Sequence, residues 1–213
     1  MAQILVFGDS ITYGAWDKEG GWVQRLRKLL DKQNLSNSDN FYYLVYNLSI
    51  DGDTTNGLLK RFESETSPRM WEGEKTIIVF SIGINDSCFI QTKNIFMISK
   101  EKFEENIKKL INLAQKFSSN IVFIGLTPVE EIKVTPLPWS KTGKSYKNEY
   151  IKEYNKIIKS VCKENNVYFI EIFEQLTRID YKNLLEDGAH PNTQGHKKIF
   201  EIVKDFLIKN KII

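Results

Sequence analysis

Little in this sequence points to a metal, a membrane or a polyanion. There are only two cysteines in 213 residues, Cys88 and Cys162. Neither belongs to a CxxC pair or a metal-ligand spacing, so no thiolate site and no disulfide framework is indicated. Both read as free, reduced thiols, with Cys162 on an apolar helix face. No apolar run approaches the ~20 residues of a membrane span, so no integral membrane association is expected. The net charge is only +3. That is too weak to argue for nucleic acid, and the lysines are spread along helical stretches as on a solvated surface. The first strand begins by Gln3 or Ile4, leaving no room for a charged n-region and an apolar h-region, so a cytoplasmic location is expected. Internal repeats, low-complexity segments and linkers are also missing.

What remains is an ordinary soluble composition, 41% apolar and 27% charged, in a length that suits one α/β domain over residues 1–213. Apolar runs alternate with helix-period segments. The strand candidates are Ile4–Phe7, Phe41–Leu48, Thr76–Ile82, Ile121–Leu126 and Val167–Ile170, by their β-branched and aromatic content. Between them, helical spacing appears at Trp22, Leu26, Leu29 and Leu30, over Thr55–Glu65, at Phe103 to Phe117 and at Tyr150 to Cys162. A last helix carries Ile199, Ile202, Val203 and Phe206. This βα alternation predicts a parallel five-stranded sheet with helices on both faces. The irregular stretch Thr127–Ser145, with three prolines and one glycine, is expected to lie over the active side as a lid or wall.

Open parallel sheets bind ligands beyond the carboxyl ends of their strands. Polar clusters fall there repeatedly: Gly8-Asp9-Ser10, Ser49-Ile50-Asp51-Gly52-Asp53, Gly83-Ile84-Asn85-Asp86 and, before the last helix, Asp187-Gly188-Ala189-His190-Pro191. Alone, Ser10 reads either as a helix cap or as a nucleophile. A serine nucleophile needs an adjacent base, and the chain has two histidines. His190 sits in a tight loop, whereas His196 lies within the last helix and is expected on its surface. Asp187, three residues before His190, is spaced to hold one ring nitrogen and leave the other for Ser10. Pro191 biases His190 to an extended backbone. Donors for an oxyanion are at hand in the Ser10 N–H, the Gly52 N–H and the Asn85 amide.

The ordered blocks "FGDSITYG", "NLSIDGDTT", "GIND" and "DGAHPNTQGH" span residues 7–196. In them the chain resembles the SGNH hydrolases, the GDSL esterase/lipase superfamily. It is most similar to the lysophospholipase/thioesterase-like and acetylhydrolase-like branches. The resemblance implies a flavodoxin-like three-layer α/β/α fold and a serine esterase that needs no cofactor and no metal. It implies Ser10 as nucleophile, His190 as base and Asp187 as its partner, with an oxyanion hole of Ser10, Gly52 and Asn85. The expected substrate is a small-molecule ester or thioester, with sugar O-acetyl groups as the alternative. Position 12 is Thr, so the GxSxG elbow of the α/β-hydrolases is missing. A reading from another class makes the Gly8–Gly14 loop a phosphate cradle without catalysis. That loop carries neither GxGxxG nor GxxxxGK[ST], and the reading leaves Asp187 and His190 unexplained.

Around these blocks, Asp9 and Asp86 are expected to pin their loops. Cys88, Phe89 and Ile90 line an acyl pocket or pack the core. Trp16 and Trp139 close over substrate or pack down. The stretch Phe89–Ile98 offers a candidate lipid-facing surface.

Overall fold

The computed structural model describes residues 1–36 and 41–213. Five parallel strands build the central sheet: β1 (Ala2–Gly8), β2 (Tyr43–Asn47), β3 (Lys75–Ser81), β6 (Asn120–Ile124) and β8 (Tyr168–Ile170). Their spatial order is β2-β1-β3-β6-β8. Two-residue strands β4 (Phe89–Ile90), β5 (Ile95–Phe96) and β7 (Lys144–Ser145) form a small antiparallel sheet to one side. The helices are α1 (Ser10–Tyr13), α2 (Gly21–Ser36), α3 (Thr55–Thr66), α4 (Lys100–Gln115), α5 (Glu131–Val134), α6 (Asn148–Glu164), α7 (Phe173–Thr177) and α8 (Thr193–Lys209).

Every residue of β1 is buried, as are the five central residues of β3. Such strands must be apolar on both faces, which is why Ile4–Phe7 and Thr76–Ile82 read as continuous runs. Helices α2 and α8 pack together on one side of the sheet; α3, α4 and α6 pack in series on the other. The resulting three-layer α/β/α sandwich has the flavodoxin-like strand order. Its switch point lies between β1 and β3, where successive connections leave to opposite faces.

Local chemistry sets where the helices start. Asp9 caps α1, its carboxylate accepting from the Ile11 N–H at 3.1 Å. Ser99 caps α4, and Asn192 caps α8 by accepting from the N–H groups of Gln194 and Gly195. A side chain at Gly8 would collide with Thr12 and lie 2.6 Å from the Ser81 carbonyl oxygen. Glycine there lets α1 turn sharply back against the end of β3.

The stretch Thr127–Ser145 is less irregular than its prolines suggest. It holds α5 and ends in β7, whose pairing with β4 fixes it as a wall. The stretch Phe89–Ile98 does not form a lipid-facing surface. Phe89 and Phe96 meet edge-on 5.4 Å apart, and both rings pack against Tyr150 of α6, at 6.0 and 5.1 Å. Cys88 is fully buried behind this small sheet, and burial pushes its thiol pKa up.

Candidate active site

Beyond the carboxyl ends of β1 and β3 lies a cleft of about 610 Å³. Ser10, Gly52, Asn85, Asp187 and His190 all line it. The candidates from four separate segments therefore converge on one site.

Ser10 is the first residue of α1 and is buried. Its Oγ lies 2.9 Å from Nε2 of His190. On the far side of the ring, Nδ1 of His190 lies 2.7 Å from Oδ2 of Asp187. The other carboxylate oxygen, Oδ1, accepts from the backbone N–H groups of Ala189 at 2.9 Å and His190 at 2.8 Å. The loop is thus wound around the Asp187 carboxylate. Partial burial works against ionisation of Asp187. The ring and backbone donors of His190 and the Ala189 N–H outweigh it and hold the carboxyl well below the usual range. With Asp187 ionised, Nδ1 carries the ring proton, and Nε2 presents a lone pair to the Ser10 hydroxyl.

Three residues with N–H donors, Ser10, Gly52 and Asn85, line the same cleft. Among the described residues, neither the Ser10 N–H nor the Gly52 N–H bonds another backbone group. Gly52 adopts φ +70°, and a Cβ there would meet nothing within 4 Å. The left-handed backbone, not crowding, is what calls for glycine. Asn85 follows β3 in a turn. Its Nδ2 donates to the Asp53 carbonyl at 2.9 Å, and its Oδ1 accepts from the Tyr146 hydroxyl at 3.0 Å. An amide has two N–H donors, so one remains for the cleft.

Deeper contacts hold these loops. The Asp53 carboxylate receives Arg61 through Nε at 2.9 Å and Nη2 at 2.7 Å. Arg61 also donates to the Leu48 carbonyl at 2.6 Å. One guanidinium on α3 therefore ties the end of β2 to the Gly52 turn. Asp86 accepts from the backbone and hydroxyl of Thr55, joining the turn after β3 to the start of α3. Asp9 pins its loop by a local bond, as expected, whereas Asp86 reaches across to Thr55, 31 residues away. Burial raises Asp9 to about 7, against the Ile11 N–H and the nearby His190. Burial likewise raises Asp86 to about 6, against its Thr55 bonds.

His196 does not sit on the helix surface. It is fully buried, because the first turn of α8 packs under the loop that follows α1. Its Nε2 donates to the Ala15 carbonyl at 3.2 Å. Burial lowers its pKa, against the bond to the Ala15 carbonyl.

The cleft wall is largely apolar. Ile84 and Met97 line it, together with Ile132, Leu137, Pro138 and Trp139 from the 127–145 stretch. Trp139 is 72% exposed, so it rims the cleft and does not pack its loop down. Trp16 stands beside Asp187 and His190. Its indole N–H donates to Oδ2 of Asp187 at 3.0 Å, and its ring meets His190 edge-on at 5.9 Å. Tyr146 and Trp16 have no local sequence signal for these contacts, since their partners lie 61 and 171 residues away.

Among the described residues, no helix is long and apolar enough to cross a membrane. A family model described as GDSL-like lipase/acylhydrolase matches residues 6–198. No match is found among curated proteins. Solved structures share the fold at low identity. One is a lipase/acylhydrolase from Enterococcus faecalis, with TM-score 0.75 and 22% identity over 97% of this chain and 95% of that one. Another is Axe2, an acetylxylan esterase from Geobacillus stearothermophilus, with TM-score 0.71 and 21% identity over 96% and 92%. A third, a lipolytic G-D-S-L family protein from Veillonella parvula, has TM-score 0.70 and 19% identity over 96% and 97%.

Proposed function

The chain belongs to the GDSL-like lipase/acylhydrolase family and hydrolyses ester bonds, and on that premise we propose that it works through an acyl-serine intermediate on Ser10. The observation that carries this reading is the continuous chain Ser10 Oγ, His190, Asp187, with contacts of 2.9 and 2.7 Å. As Oγ attacks the ester carbonyl carbon, Nε2 of His190 takes the hydroxyl proton. Asp187 keeps the ring in the productive tautomer and offsets the imidazolium charge. The carbonyl oxygen, now an oxyanion, receives the Ser10 N–H, the Gly52 N–H and the free Asn85 amide proton. His190 then protonates the departing alkoxide or thiolate. Water, activated by the same nitrogen, releases the acid. In this reading the whole chain is one catalytic domain.

The apolar walls of the cleft favour carboxylic esters or thioesters with an acyl group larger than acetyl. A sugar O-acetyl substrate is the second reading. It is favoured by the exposed Trp139 at the rim, where a sugar ring has a face to stack on, and by the likeness to an acetylxylan esterase. A phosphate cradle at α1 is disfavoured: the Asp9 side chain already takes the Ile11 N–H at the start of that helix.

A fluorophosphonate probe and p-nitrophenyl esters test the acyl-serine reading together. Wild-type protein is expected to be labelled once, at Ser10, and to release a burst of one equivalent of nitrophenol. Ser10→Ala is expected to lose label and burst, with kcat down by ~10⁴ or more. Turnover surviving in Ser10→Ala overturns the proposal.

A further inference from the structure

Trp16 occupies a position that packing does not explain. It is a bulky residue at φ +65°, a left-handed backbone that side chains of this kind rarely adopt. Yet the residue is 61% exposed, so burial offsets little of that strain. The residues on either side of it, by contrast, are tightly held. The Ala15 carbonyl accepts from buried His196. The Asp17 carboxylate is fully buried, accepts the N–H groups of Glu19 at 3.0 Å and Gly21 at 2.9 Å, and pairs with Arg25. Arg25 also reaches the Thr193 carbonyl at the start of α8, at 3.4 Å. Both clamps therefore tie the Trp16 loop to the helix that begins directly after His190.

The clamped loop delivers a single polar contact. The Trp16 indole N–H meets Asp187 at the same oxygen that holds the His190 ring. Asp187 is the most exposed of the three reacting groups, its side chain 44% open to solvent. Two backbone N–H groups hold Oδ1, and the indole N–H is the donor that joins the His190 ring in fixing Oδ2. Resting on the Ser10–His190–Asp187 reading, we propose that Trp16 is a positioning residue. Its strained loop holds the Asp187 carboxylate, and through it the His190 ring, in line with Ser10.

Two variants separate this role from a structural one. Trp16→Phe keeps an aromatic ring and the strained backbone but removes the N–H. It is expected to lower kcat roughly tenfold, the loss of one charge-assisted hydrogen bond felt partly in the transition state, with KM nearly unchanged. Trp16→Gly relieves the backbone. It is expected to leave Tm unchanged or raised while lowering kcat at least as far. A residue that only supports the fold would instead lose Tm and kcat together in Trp16→Gly, and that result overturns the proposal. So does wild-type kcat in Trp16→Phe, or a loss confined to KM. Ser10→Ala, assayed beside them, tells the two failures apart. If Ser10→Ala stays active, the acyl-serine reading falls and this inference with it. If only Ser10→Ala is inactive, the role of Trp16 alone is refuted.

Discussion

Asn85 stands between two fixed partners, and they decide what its amide has left to give. The Tyr146 hydroxyl occupies Oδ1, and the Asp53 carbonyl takes one of the two Nδ2 protons. The orientation is therefore set before substrate arrives, which is the condition for a useful oxyanion donor. Asn85→Ala is expected to lower kcat by ~10²–10³ with little change in KM. Tyr146→Phe leaves the Asp53 contact in place, so a milder loss is expected, roughly three- to tenfold. Steady-state kinetics on one activated ester check both. A rise in KM at constant kcat would make Asn85 a ground-state binder instead. Asn85 is legible in the sequence because it lies in a block directly after a strand. Tyr146 is not, because nothing near it in the chain marks a partner 61 residues away. His196 shows the same limit in reverse. Helical periodicity places it on α8, but only the loop after α1, arriving from the other end of the chain, buries it.

At the scale of elements, what can be read in advance follows length and burial. Thr76–Ile82 reads as a strand because a central parallel strand needs a continuous apolar run, and β3 occupies Lys75–Ser81. Strands β4, β5 and β7 have two residues each, too few to show a period. Their pairing is decided by the tertiary contact of Phe89 and Phe96 with Tyr150. The Thr127–Ser145 stretch is legible as a feature over the site by its prolines, whereas α5 within it is not. Its functional consequence lies in the apolar wall it presents. Each methylene of an acyl chain buried there contributes about 0.8 kcal/mol, so kcat/KM is expected to climb from acetyl to butyryl to octanoyl p-nitrophenyl esters. Leu137→Ala and Trp139→Ala are expected to flatten that climb, with octanoyl losing more than acetyl. Equal losses for all esters would show that the acyl chain does not lie along this wall. A steep preference for acetyl in the wild type would move the substrate toward O-acetyl groups.

Across the whole molecule, the buried acids pull stability in two directions. Asp17 and Asp187 are held below the ordinary carboxylate range, Asp17 because Arg25 and backbone donors outweigh its burial. Their contribution is present above the unfolded value of 3.8 and is lost as pH falls through their folded values. Asp9 and Asp86 behave oppositely. Burial raises them from 3.8 to about 7 and about 6, so their contribution is complete below 3.8 and is lost as pH rises through 6 and 7. Stability should therefore be greatest between these windows, at mildly acid pH. Asp9 isolates the effect. Asp9→Asn keeps a side-chain oxygen for the Ile11 N–H, and with it the cap on α1, but removes the charge. Denaturant unfolding at pH 5 and pH 8 is the test. The wild type is expected to lose stability between them. The variant should lose less, by an amount on the order of 3 kcal/mol at most, the part of the titration between pH 5 and about 7 at ~1.4 kcal/mol per unit. Identical slopes in the two proteins would mean that Asp9 is not protonated in the folded state at pH 5. The buried cap beneath the nucleophile would then be charged throughout, and its cost would have to be met by the neighbouring His190.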